Sequence, residues 1–112
     1  MQRHWYKIVE RDDEQIKSLF HGNRGSRKLN TNEWMEAEMK HVSDGFNGTV
    51  YISGWHIAPS FQECKKYLKY FKKLKNKAIV KCEAMNIWPK THSRHNIYLA
   101  QWIKILEVKT EL

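Results

Sequence analysis

One helix signal stands out in a chain that otherwise reads as strands and turns. Pro59 ends an extended run, and Ser60 stands three residues before Glu63. That is the capping-box spacing, in which each side chain can satisfy an otherwise unpaired N–H of the first helical turn. From Phe61 to Asn76 the apolar residues then recur at helical intervals. At 100° per residue, Phe61, Cys64, Tyr67, Leu68, Phe71 and Leu74 share one face. Lys65, Lys66, Lys69, Lys72 and Lys73 fall on an opposed arc of about 120°. A helix of this kind must bury its apolar stripe against another layer and leaves a lysine stripe in solvent.

The candidate partner layer is a sheet. Trp5–Val9 is rich in aromatic and β-branched residues and reads as a strand. Residues 11–14 form a polar turn, and Ile16–His21 alternates and returns as a hairpin partner. Residues 31–42 fit either a short helix capped at Thr31 or Asn32, or an extended segment. Asp44-Gly45 and Asn47-Gly48 mark turns. Thr49–Ile57 reads as one strand, with Gly54 as a bulge or a close backbone approach. Ala78–Ala84 and Ile97–Val108 complete the set, separated by a loop from Trp88 to Asn96. The expected fold is α+β: a mostly antiparallel sheet of about five strands, with one main amphipathic helix (60–76) packed on one face. Trp34, Trp55 and Trp102 read as core.

With 112 residues, the chain has the length of a single domain, 1–112. Its 41% hydrophobic and 12% aromatic content excludes a disordered composition. The apolar runs are too short to span a bilayer. The N-terminal residues lack an apolar core of the secretory kind, so the expected location is the cytoplasm. Cys64 and Cys82 are too few for a disulfide scaffold or a zinc site of their own, and both read as buried thiols. His92 and His95 are the closest histidine pair, and a metal site would need His56 or His21 as well. No metal and no cofactor are expected.

The net charge is +8, and its placement is lopsided. Residues 1–44 hold eight basic and eight acidic side chains, whereas residues 45–112 hold twelve basic and four acidic ones. A chain so charged favours anionic partners: nucleotides, nucleic acid or an acidic protein surface. Two loops carry suitable donors. Gly22–Lys28 places Arg24, Arg27 and Lys28 beside two glycines, which let backbone N–H groups converge on an anion. Lys90–Asn96 carries His92, Arg94 and His95, with Trp88 at its entry as a surface on which a base can stack. The expectation is that both loops share one sheet edge and hold the ligand between them, with no catalytic residue involved. Lys65, Lys66, Lys69, Lys72 and Lys73 would raise the local potential.

The stretch Tyr51-Ile-Ser-Gly-Trp-His-Ile-Ala-Pro-Ser-Phe-Gln-Glu-Cys-Lys-Lys-Tyr-Leu resembles small uncharacterised proteins encoded by bacteriophages. So does Lys90-Thr-His-Ser-Arg-His-Asn-Ile-Tyr-Leu-Ala before the last strand. The resemblance covers roughly residues 49–106 and implies a phage-type accessory protein that counters host defence. Combined with the charge pattern, it gives a non-enzymatic binder of a phosphate-rich ligand. An inhibitor docking its basic face on an acidic host protein is the alternative partner reading. A fainter likeness to ADP-ribosyltransferase-like folds rests on Phe20-His21-Gly22 and on Tyr67 or Tyr70. It implies an enzyme, as would a metal-independent nuclease using His56, His92 and His95. Glu83 lies mid-strand and Glu107 lies near the end of the chain, so the catalytic glutamate of such a transferase lacks a counterpart.

Overall fold

The computed structural model describes residues 3–12, 15–18, 28–39, 41–43, 50–69, 76–90 and 95–111. In chain order the elements are β1 (Trp5–Asp12), β2 (Gln15–Ser18), β3 (Lys28–Leu29), β4 (Trp34–Glu36) and β5 (His41–Ser43). They continue with β6 (Val50–Ile52), β7 (Trp55–Ile57), α1 (Phe61–Leu68), β8 (Lys77–Pro89) and β9 (Tyr98–Glu111). The α+β class and the mostly antiparallel sheet agree with the sequence pattern. The strand count does not: among the described residues seven strands form the main sheet, in the order β3-β2-β1-β8-β9-β4 with β7 also on β9. A separate ribbon pairs β5 with β6. The extra strands are two or three residues long, too short for an alternation to register.

The β8–β9 hairpin organises the sheet. Its pairing shifts register between Ile79 and Val80 and again between Lys81 and Cys82. Each shift leaves one extra residue on β9, first Lys109 and then Leu106. Bulges of this kind bend a strand and raise its twist. The coiled hairpin brings distant strands onto the outer edge of β9: β4 pairs along residues 102–104 and β7 along 98–100. The sheet then returns on itself. Tyr6 and Ala58, the residue after β7, exchange two backbone hydrogen bonds of 2.9 and 2.7 Å. At the other end Thr31 bridges Ile105, and Asn32 N–H donates to the Ile105 carbonyl at 2.7 Å. The result is a nearly closed barrel.

Alternation along β1 separates two cores. Trp5 and Val9 face the barrel interior with Trp55, Val80, Cys82, Ile103 and Ile105. Ile8 faces outward, where α1 covers it through Cys64 and Leu68, with Ile79 and Ile97 in the same cluster. Ser60 caps the helix as its sequence position requires: its hydroxyl accepts from the Glu63 N–H at 3.1 Å. The Glu63 side chain turns to Lys66. The described helix spans Phe61–Leu68 with Lys69 as its C-cap; of the expected extension to Asn76, residues 70–75 lie outside the described residues and Asn76 is not helical, with a φ of 57°.

Residues 34–36 are strand, so the extended alternative for this stretch holds and the short helix does not. Trp55 is buried, with its indole N–H on the Met35 carbonyl at 3.0 Å. Trp102 is only half-buried. Trp34 is not core: it is 36% exposed, with the Lys104 ammonium 5.3 Å from its ring centre. The segment Thr49–Ile57, read as one strand, divides at Ser53-Gly54 between the ribbon and the barrel.

Gly54 sits at that division because no side chain fits there. A Cβ on it would lie 2.9 Å from the Ala100 carbonyl oxygen and 3.2 Å from Cη2 of Trp88. The first of these is backbone in a paired strand and cannot yield. Gly54→Ala should cost about 1–3 kcal/mol through overpacking, read as a lower melting temperature with a shifted tryptophan emission. An unchanged melting temperature would mean that β7 can leave β9 freely.

Candidate functional site

The division at Gly54 builds a surface that neither basic loop requires. Tyr51, in the middle of β6, turns toward the barrel, while its neighbours Val50 and Ile52 are exposed. The His56 ring meets Tyr51 edge-on, with centroids 6.3 Å apart at 85°. Lys90, just past the end of β8, places its ammonium 5.0 Å from the Tyr51 ring centre. Trp88 is half-buried on the same lip, against Gly54. Cation and aromatic groups are thereby interleaved around Gly54 and the start of β7.

This lip is continuous with the helix. The Lys90 N–H donates to the Ile97 carbonyl at 3.0 Å, and the Ile97 N–H to the His95 carbonyl at 2.8 Å. The His95 ring lies 5.4 Å from that of Tyr67 on α1. On α1, Lys65, Lys66 and Lys69 are exposed. Lys66 pairs with Glu63, whereas Lys65 and Lys69 form no ion pair with a described residue. The lysines of β8 and β9 behave differently. Lys81 and Lys109 both reach Glu107, at 3.3 and 3.5 Å, and Lys104 reaches Glu83 at 3.1 Å. The hydrogen bond from Lys81 holds the Glu107 carboxyl below its ordinary range. Among the described residues, α1 with its C-cap therefore presents three exposed lysines against Glu63.

Of the residues singled out in the sequence, the structure sets His95 against Tyr67 of α1, the element that carries the exposed Lys65 and Lys66 and ends at Lys69, and sets Trp88 against Gly54. It does not bring Lys28 to them. Lys28 stands on the row Lys28–Lys17–Glu10–Lys77, at the start of β8, whereas Trp88 and Pro89 close that strand. Arg24, Arg27, His92, Arg94, Lys72 and Lys73 lie outside the described residues. Among the described residues no group of three His, Cys, Asp or Glu could hold a metal ion, and no helix is long and apolar enough to cross a membrane. Sequence alone does not assign Tyr51 to a binding surface, because β6 and β7 read as one continuous strand; Lys90 is read there as part of the second basic loop, and His56 only in the nuclease alternative.

Lys7 is the other residue that sequence reasoning passes over. It lies between Trp5 and Val9 on the interior face, so the strand alternation itself points its side chain into the barrel. It is 3% exposed. Its ammonium donates to the His56 carbonyl at 3.1 Å and lies 5.5 Å from the Trp55 ring centre. Burial lowers its pKa to about 8, with Cys82 and then Cys64 acting weakly in the opposite direction. Both thiols are buried, and burial pushes each up to about 12. They are neutral and inert at neutral pH, as expected of structural cysteines.

No protein-family model, curated protein or solved structure matches this chain. The chemistry of the surface is set by its own residues.

Lys7 makes stability depend on pH with a definite sign. Below pH 8 the amine is charged in both folded and unfolded chains, and its burial costs about 3 kcal/mol. Between pH 8 and its unfolded pKa, the unfolded chain holds the extra proton, so stability rises with pH. Above pH 9 the thiols reverse the trend, because they stay protonated only in the folded chain. Chemical denaturation should therefore show stability rising from pH 8 to 9 and falling beyond. Lys7→Met should raise stability at about pH 7 and abolish the rise. A wild-type protein with no gain between pH 8 and 9 would contradict the burial of a charged Lys7.

Proposed function

We propose that the protein is a non-enzymatic binder of single-stranded nucleic acid or a related phosphate-rich ligand. It would use the surface that runs from α1 to the Lys90 lip. The observation that carries this reading is the continuity of cations with aromatic rings. The Lys90 ammonium lies over the Tyr51 ring, with the His56 ring edge-on to Tyr51 and Trp88 against Gly54, and the His95 ring meets Tyr67 of α1, whose opposite face presents Lys65 and Lys69 to solvent. Single strands are held in this way: cations follow the phosphates while bases stack on aromatic faces. A small pocket between two arginine-bearing loops is not needed for it. Half-buried rings also favour stacking at the surface over enclosure of a single nucleotide.

The enzyme alternatives draw less support. Glu83 and Glu107 are engaged with lysines on the barrel wall, away from the His56 lip, and the two thiols are protonated in the core. In the phage-type setting that the sequence resemblance implies, such a binder would shield or sequester nucleic acid from host defence.

The test is fluorescence anisotropy with a labelled oligothymidylate across a salt series. Lys65→Gln, Lys69→Gln and Lys90→Gln combined should leave the fold intact and weaken binding. The slope of log affinity against log salt should fall by about 0.7 for each phosphate that is no longer neutralised. An unchanged slope, or capture of an acidic protein in place of the oligonucleotide, would overturn the proposal.

A further inference from the structure

We infer that Lys7 is a positioning residue for this anion-binding surface: from inside the barrel its ammonium holds the His56 carbonyl and so fixes the strand that presents the lip. The inference rests on the anion-binding reading above and explains why a costly charge is kept in an otherwise apolar interior.

The seam between β1 and β7 is the reason. β7 is three residues long and pairs with β9 along one edge. Toward β1, the backbone supplies the bridge between Tyr6 and Ala58. One residue further along β1, the Lys7 side chain reaches across to the His56 carbonyl at 3.1 Å. It takes the place of a ladder hydrogen bond on the edge where β7 turns away. His56 is flanked by Gly54-Trp55 on one side and Ile57-Ala58 on the other. Trp55 is locked to Met35, and Ala58 is locked to Tyr6. Lys7 fixes the peptide between these two anchors, and the imidazole of that same residue meets Tyr51 beneath Lys90.

Few groups act on Lys7. β7 contributes the His56 carbonyl and the Trp55 ring, with the His56 imidazole as its titratable group. β8 contributes Cys82 and α1 contributes Cys64. Among the described residues no carboxylate joins them. With both thiols held neutral to high pH, the amine of Lys7 loses its charge before either thiol gains one, near pH 8. Deprotonation weakens a charge-assisted hydrogen bond to a neutral one. It also removes a positive charge from behind the lip. Anion affinity should fall as pH rises through 8, and a bound anion should in turn favour the protonated amine by linkage.

Two measurements test this. The first is the affinity for a fluorescein-labelled oligothymidylate between about pH 7 and 9, for wild type and Lys7→Met. Wild type should weaken about fivefold over that range, a coupling of ordinary size between two sites. Lys7→Met should be weaker at about pH 7 and follow only the shallow trend common to both proteins. Wild-type affinity and pH profile in Lys7→Met would overturn the inference while leaving the anion reading in place. Failure of both proteins to bind would overturn the anion reading itself. The second measurement needs no variant: the His56 carbonyl ¹³C resonance of the free wild-type protein should titrate with a midpoint near pH 8. A resonance that stays fixed from about pH 7 to 9 would overturn the inference even if Lys7→Met failed to fold.

Discussion

The bulged pairing of β8 with β9 is the constraint on which the rest of the molecule depends. Two register shifts coil this hairpin enough for β9 to accept β4 and β7 along one edge while β8 accepts β1 along the other. The strands that meet across the barrel are therefore far apart in sequence, and the contacts that close it are individually small. Tyr6 with Ala58, Thr31 with Ile105, and Lys7 with His56 each bridge a gap that a regular ladder would have filled. The interior, with Ile103, Ile105, Val80 and Val9 fully buried, supplies the apolar contribution that these closures need.

The same geometry determines where function can reside. A chain leaving β4 opposite Trp102 enters β7 opposite Ala100 on the same edge of β9, and the ribbon β5–β6 lies on the crossing between them. Its return through Ser53-Gly54 places Tyr51 beside His56. The end of β8 brings Trp88 and Lys90 to the same lip. Ser53 secures the crossing, its hydroxyl donating to the Glu38 carbonyl at 2.6 Å. Charge follows the architecture as well. On the long hairpin, Lys81 pairs with Glu107 and Lys104 with Glu83 across the strands. On α1, the spacing that buries Cys64 and Leu68 sends Lys65 and Lys69 to the solvent side, where they form no ion pair with a described residue.

Whatever depends on local chemistry can be read from the sequence. The cap at Ser60, the facing of α1, the paired β1 and β2, and the close approach at Gly54 each follow from a few adjacent residues. Strand length and barrel closure are not legible in this way. Ala78–Ala84 reads as a strand, but its continuation through Met85–Pro89 is held by pairing with β9 and not by its own pattern. Asn86 even adopts a positive φ of 54° within it, which local propensity would read as a turn. Trp34 misleads for a related reason. An aromatic residue suggests core, yet its strand lies on the outer edge of β9 beneath Lys104. Lys7 shows the reverse case: a lysine suggests solvent, but the parity it shares with Trp5 and Val9 places it inside. Of the candidate site, Trp88, His95 and the helix lysines are legible as donors and rings. The contact of His95 with Tyr67, and the meeting of Tyr51 with His56 and Lys90, require the fold.

The proposed function resides in one surface, the band from α1 through His95 to Lys90 and Tyr51. Its most direct test is a two-dimensional NMR titration of the labelled protein with an unlabelled oligothymidylate. Shifts should concentrate at Lys65–Lys69, Tyr67, His95, Lys90, Trp88, Tyr51 and His56. Shifts centred instead on Trp34, Met85 and Trp102, or on the Lys17–Lys28 row, or no shifts at any ratio, would contradict it.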